Sequence, residues 1–122
     1  MTKTVMIVDD SISLRKVVSM ALRNAGYEVL EASDGQDCLA KLEGQRIHLI
    51  ISDVNMPGMD GLTMARHIKS MPAYKFIPII MLTTEGSEQL KNTGREIGVK
   101  AWILKPFQPY QMLDAVTKLI LP

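Results

Sequence analysis

The sequence predicts an α/β domain: five parallel strands in the order 2-1-3-4-5, doubly wound by five helices. Three observations predict it. Short apolar runs alternate with helix-period stretches along the whole chain, as strands joined by crossover helices do. Three of the runs, Val-Met-Ile-Val, Leu-Ile-Ile and Pro-Ile-Ile-Met-Leu, are apolar throughout, which is how strands covered on both faces read. The chain has 122 residues, enough for one domain with one sheet, and right-handed crossovers leave few other topologies.

The strands are expected at 4–8, 28–32, 48–52, 77–82 and 102–104. The first helix carries Leu14, Val17, Val18, Ala21, Leu22 and Ala25 at i, i+3, i+4 spacing, with Ser11 or Ser13 as its cap and Gly26 as its stop. The second, over 36–43, has Leu39 and Leu42 and stops at Gly44; the third, over 62–70, places Leu62, Ala65 and Ile68 on one side before Pro72. The stretch 87–97 is the weakest helix. Leu90 and Ile97 share a face there, but Asn92, Thr93 and Gly94 lower its propensity. The last helix opens with Pro109 in the favoured first turn and shows Leu113, Val116, Thr117 and Ile120 on one face.

Composition narrows the class. Hydrophobic residues at 47% and charged residues at 22% supply one core and exclude wholesale disorder. Lys and Arg total 14 against 13 Asp and Glu, so there is no overall field to hold a polyanion, which argues against nucleic acid and membrane surfaces as partners. Cys38 is the single cysteine, which excludes an internal disulfide and a thiolate zinc cluster. It is expected half-buried on the second helix. No apolar run approaches the roughly 20 residues of a membrane span, and the start lacks a signal peptide's apolar region. The expectation is a cytoplasmic monomer of one domain, residues 1–122. Met6, Met81 and Met112 read as core fillers. His48 and His67 have no partner at metal-binding spacing, and the hard oxygens around Met56 and Met59 argue against a thioether copper site there.

The chemistry belongs at the carboxyl ends of the strands, at the switch point between the first and third. Asp9-Asp10 leave the first strand, Asp53 the third, Thr83-Thr84-Glu85 the fourth and Lys105-Pro106 the fifth. Any one aspartate could merely cap a helix or end a strand in solvent. Three together are different. Two carboxylates about 5 Å apart repel by roughly 3 kcal/mol at an effective dielectric of about 20, and Lys105 alone carries too little charge to offset three. An oxygen-loving divalent cation does so, and Mg2+ held by one or two carboxylates and water suits the site. The acidic turn after the first strand would repel a phosphate unless a metal intervened, unlike the glycine-rich turns of nucleotide binders.

At this point the chain resembles the response-regulator receiver domains, a subset of the flavodoxin-like architecture, and above all their chemotaxis members. The motifs are Val-Asp-Asp-Ser at 8–11, Ser-Asp-Val-Asn-Met-Pro-Gly-Met-Asp-Gly at 52–61, Leu-Thr-Thr-Glu at 82–85 and Leu-Lys-Pro-Phe at 104–107. The resemblance implies that Asp53 accepts a phosphoryl group from a histidine kinase. It implies Mg2+ ligated by Asp10 directly, by Asp9 mainly through water, and by Asp53 and the main-chain carbonyl of Asn55. Thr83 would hydrogen-bond the phosphoryl group, Lys105 would pair with it, and Lys105-Pro106 would be cis. Thr83 and Trp102 would form the switch: Thr83 moves toward Asp53, and Trp102 moves inward into the vacated space, its indole N–H finding an acceptor or keeping that edge wet. Asn55 and Glu85 would tune dephosphorylation. The output surface would be helix 4, strand 5 and helix 5, residues 87–121, contacting a target protein such as the flagellar motor switch, with a phosphatase as a further partner. Such a chain would have no output domain and would catalyse only its own phosphorylation and dephosphorylation, so it would not be an enzyme in the ordinary sense.

Glu88, Lys91 and Arg95 on helix 4, and Trp102 where motor-binding members carry Tyr, leave a phosphate sink or a regulator of a non-motor partner as the alternative. A small metal-dependent phosphohydrolase would need a pocket beyond the aspartates. A flavin carrier would need aromatic residues to stack on the ring, and aromatics make up only 5%.

Overall fold

The computed structural model describes residues 2–120. Met1, Leu121 and Pro122, the ends of the expected domain and of the expected output surface, lie outside the described residues. The elements run β1 Thr4–Val8, α1 Ile12–Asn24, β2 Glu28–Ala32, α2 Gly35–Leu42, β3 Leu49–Ser52, α3 Gly61–Lys69, β4 Ile79–Thr83, α4 Glu88–Ile97, β5 Ala101–Leu104 and α5 Pro109–Leu119. All strand pairs are parallel and the order is β2-β1-β3-β4-β5. Each element foreseen in the sequence is present, and the differences lie at the ends.

Local chemistry explains those differences. β4 starts at Ile79 rather than at 77, because Ile77 N is spent on a turn bond to Tyr74 O and Pro78 has no N–H to give. Ser11, not Ser13, caps α1, accepting from Leu14 N at 3.2 Å. Asp34 and Asp60 cap α2 and α3 through Asp37 N and Thr63 N and draw each helix start one residue earlier. α4 is a regular helix despite its composition. Ser87 caps it by accepting from Leu90 N, and Gly98 closes it in the left-handed conformation. Caps at both ends offset weak propensity between them.

The sheet divides the core in two. Met6, Val8, Ile50, Ile79 and Met81 pack with residues of α2 and α3 on one face. Val5, Ile7, Leu49, Ile51, Ile80 and Leu82 pack with Val18 and Leu22 of α1 and Met112 and Val116 of α5 on the other. The alternation along β1, β3 and β4 is the period of two expected of a strand, with both faces apolar. Cys38 departs from expectation: it is fully buried at 0% exposure, and burial pushes its thiol up to about 12. It faces the sheet from the inner side of α2, where a small apolar residue fits.

Two contacts give direct tests. His48, just before β3, accepts the Thr4 amide at Nδ1, 3.0 Å. Burial, and then the charges of Lys3 and Arg46, lower its pKa from the ordinary 6.5. The unfolded chain therefore takes up the proton first, so this contribution to stability is complete above about pH 6.5 and is lost as pH falls toward the lowered value. His48→Gln keeps an acceptor for Thr4 but does not titrate. Its urea midpoint should fall less than that of the wild type between about pH 7 and pH 5; parallel declines would contradict this.

Gly61 is the second. A Cβ there would lie 2.0 Å from the Asp53 carbonyl oxygen, while Gly61 N donates to Val54 O at 2.8 Å. Only glycine lets α3 begin against the β3–α3 loop. Gly61→Ala must displace that loop and should cost about 3 kcal/mol in urea unfolding. A loss below about 0.5 kcal/mol would mean that the loop yields freely.

Candidate functional site

The central strands β1 and β3 end side by side, Val8 opposite Ser52, so the residues that follow them meet. Asp9 is 2% exposed, Asp53 is half-buried and Asp10 is exposed. One carboxylate oxygen from each lies within 4.8 Å of the others. From the end of β5, Lys105 places its Nζ 2.9 Å from Asp9 Oδ2 and 2.9 Å from Asp53 Oδ2. It does not reach Asp10. Burial depresses the ammonium, but hydrogen bonds and charge from Asp9 and Asp53 outweigh that and leave the Lys105 pKa raised. The Lys105–Pro106 bond is cis.

The other oxygens of the two inner carboxylates are held by main-chain amides. Asp9 Oδ1 accepts from Ser11 N at 2.8 Å. Asp53 Oδ1 accepts from Val54 N at 2.7 Å and from Asn55 N at 3.3 Å. Charge-assisted bonds of this kind fix the side chains as well as stabilise them. Three carboxylates and one ammonium leave two formal negative charges on hard oxygen donors at an open site. That donor set fits Mg2+ and not a soft metal.

The remaining residues singled out in the sequence form a second layer around Glu85. Asn55 Nδ2 donates to Glu85 Oε1 at 2.7 Å. Thr83, fully buried at 0%, accepts from Glu85 N at 3.2 Å through Oγ1. Trp102 Nε1 donates to Glu85 O at 2.6 Å. The indole has thus found its acceptor, and it is half-buried against the core cluster under α4. It stands second in β5 rather than first. Its fit depends on Gly94, where a Cβ would come within 2.9 Å of Trp102 Cζ3. The structure thus brings together Asp9, Asp10, Asp53 and Lys105, with Asn55, Thr83, Glu85 and Trp102 linked beside them.

Sequence reasoning assigned no role to three residues, two of them the ends of the 52–61 motif. Ser52 Oγ donates to Asp53 O at 2.8 Å, Gly61 admits the loop that carries Asp53, and Arg15 Nη1 donates to Asp9 O at 2.6 Å. Arg15 sits in the second turn of α1 and reads in sequence as one more surface cation. The only signal was its distance of six residues from Asp9, which places it where α1 runs back beneath the end of β1.

Comparison with known proteins agrees with the architecture. Residues 5–117 match the model of the response regulator receiver domain. Chemotaxis protein CheY1 of Helicobacter pylori is 39% identical, over 95% of this chain and 94% of its own. Phosphate regulon transcriptional regulatory protein PhoB of Pseudomonas aeruginosa is 40% identical over 91% of this chain, which spans only 48% of PhoB. Among solved structures, chemotaxis protein CheY4 of Vibrio cholerae superposes with a TM-score of 0.93 at 44% identity, covering 98% of this chain and 99% of that one. With the fold, the four motifs and the family match in agreement, the chain belongs to the response regulator receiver domains.

Proposed function

We infer that the protein is a cytoplasmic phosphorylation switch of the chemotaxis type, with Asp53 as the acceptor and a histidine kinase as the donor. The observation that carries this reading is the convergence of the Asp9, Asp10 and Asp53 carboxylates within 4.8 Å, with Lys105 bridging two of them. Transfer breaks the phosphorus–nitrogen bond of the donor and forms a phosphorus–oxygen bond to Asp53. Phosphoryl transfer asks a protein chiefly for positioning and charge neutralisation. Mg2+ held by Asp9, Asp10, Asp53 and the Asn55 carbonyl would neutralise charge on the transferring group. Lys105 is already placed to follow that charge, and Thr83 has a hydroxyl one strand away.

Thr83 and Trp102 serve as the switch in this reading. Thr83 Oγ1 and Trp102 Nε1 grip the same residue, Glu85, by its N–H and its carbonyl. If Thr83 turns its hydroxyl toward a phosphoryl group on Asp53, it gives up the Glu85 amide and the β4–α4 loop is freed to move. The consequence reaches α4, β5 and α5, the surface on which a target protein would dock. The protein would then catalyse nothing beyond its own phosphorylation and dephosphorylation.

A second reading, a phosphate sink or a regulator of a non-motor partner, draws on the Glu88–Arg95 ion pair exposed on α4 and on Trp102. Capture of partners by the phosphorylated protein, with Asp53→Asn as control, separates the two. Recovery of flagellar switch components favours the first.

Asp53→Asn should remain folded and lose Mg2+-dependent labelling by acetyl phosphate; full labelling of that variant at an acid-labile bond would overturn the acceptor assignment. Asn55→Lys removes the bond to Glu85 and puts a long side chain beside the phosphorus. The phosphoryl lifetime should lengthen several-fold, measured by loss of label after the donor is removed, and an unchanged or shorter lifetime counts against the proposed tuning role of Asn55 and Glu85.

A further inference from the structure

We propose that Arg15 and Glu31 are a positioning pair for the carboxylate cluster: Arg15 fixes the peptide between Asp9 and Asp10, and so sets how tightly the cluster holds Mg2+. The inference rests on the reading that the cluster takes that cation.

Every polar atom of Asp9 is engaged. Its N donates to Ala32 O at 3.1 Å, its Oδ1 accepts from Ser11 N at 2.8 Å and its Oδ2 from Lys105 at 2.9 Å. Its carbonyl oxygen accepts from Arg15 Nη1 at 2.6 Å. That carbonyl alone belongs to the peptide unit joining Asp9 to Asp10. Because the unit is planar, fixing its oxygen fixes the direction in which the chain enters Asp10. Asp10 is the exposed member of the three and the one that Lys105 does not reach. Its aim is set through the backbone, and Arg15 holds the backbone.

Arg15 is itself held. Its Nε lies 3.2 Å from Glu31 Oε1, and the side chain is only 14% exposed. An arginine on a helix surface would ordinarily keep its guanidinium in water. Here the planar fork divides its donors between a main-chain oxygen at the end of β1 and a carboxylate on β2, a geometry that lysine cannot reproduce. Groups one bond removed from metal ligands act in this way on affinity, by orienting the ligands. The competing account treats Arg15 as a bare positive charge near the cluster, repelling a cation. The two accounts differ in sign.

Calorimetric titration of the full chain with MgCl2 decides between them. Arg15→Gln should raise the Mg2+ dissociation constant by about tenfold. Arg15→Lys, which keeps the charge and loses the fork, should raise it too, and Glu31→Gln should raise it by a smaller factor. In metal-free protein, the Ser11 amide should exchange faster in Arg15→Gln, while the amides of Met6 and Val8 keep their protection. A merely structural role would not produce that contrast. If Arg15→Gln does not fold, Arg15→Lys carries the test, because it keeps the charge and only the positioning account expects it to weaken binding. Unchanged or tighter Mg2+ binding in the folded variants, with the wild type binding normally, overturns the positioning role. A wild type that takes up no Mg2+ overturns the cation reading itself, and the inference with it.

Discussion

Mutual repulsion of three carboxylates crowded at the ends of β1 and β3 is the constraint to which the surrounding structure answers. Each pair at about 5 Å costs roughly 3 kcal/mol at an effective dielectric of about 20, and the neighbouring main-chain amides of Ser11, Val54 and Asn55 bring no formal charge to offset it. Relief comes from Lys105, 96 residues from Asp9 and 52 from Asp53 along the chain. It arrives only because β5 takes its place at the far side of β4. Its raised pKa is the signature of that service. The stabilisation it gives is complete below the ordinary value of 10.5 and is lost only as pH rises through the raised one. The charge that remains is the feature that a divalent cation would complete.

Holding such a cluster in place requires a rigid base. β3 and β4 are buried along their whole length and β1 from Val5 onward, with separate apolar clusters on the two sides of the sheet. Interiors packed to that degree transmit strain rather than absorb it. Asp9 and Asp53 therefore cannot relax apart by local movement, and their repulsion stays available to be offset by whatever binds. Rigidity in the strands is paired with polar, hydrogen-bonded loops above them, where a change of partner costs little.

Glu85 is where that change of partner would register. Its amide, its carbonyl and its carboxylate are held by Thr83, Trp102 and Asn55 respectively. The three partners come from β4, from β5 and from the loop after β3. One residue thus joins the carboxylate cluster to the indole under α4 by hydrogen bonds rather than by packing. Bonds of this kind, half exposed and individually worth about 1 kcal/mol, suit an element with two arrangements. α4 agrees with this: its interior propensity is weak and its stability rests on its caps, Ser87 and Gly98.

Much of this was legible in the chain itself. The apolar runs specified the three buried strands, and the helix-period stretches specified five helices. Topology placed Asp9, Asp10, Asp53 and Lys105 at one edge, because residues that leave parallel strands at their carboxyl ends must lie together. End residues were less legible, since a cap or a turn bond, such as Ile77 N to Tyr74 O, decides them locally. What no pattern in the sequence could supply was the set of close contacts where one element packs on the next: Arg15 on the Asp9 carbonyl, Gly61 against Asp53 O, Gly94 under the ring of Trp102. Periodicity reports which face of an element is apolar, so it gave Arg15 no role and left Cys38 half-buried. Whether a side chain meets water or a carbonyl depends on which neighbours the fold brings beside it. Sequence by itself determined the elements, their order and the charge that collects at one edge, because these follow from apolar spacing and chain direction. Tertiary structure alone decided which groups hold that charge in place, because whether a side chain or amide finds a carbonyl, a carboxylate or water is settled only when strand, loop and helix pack together.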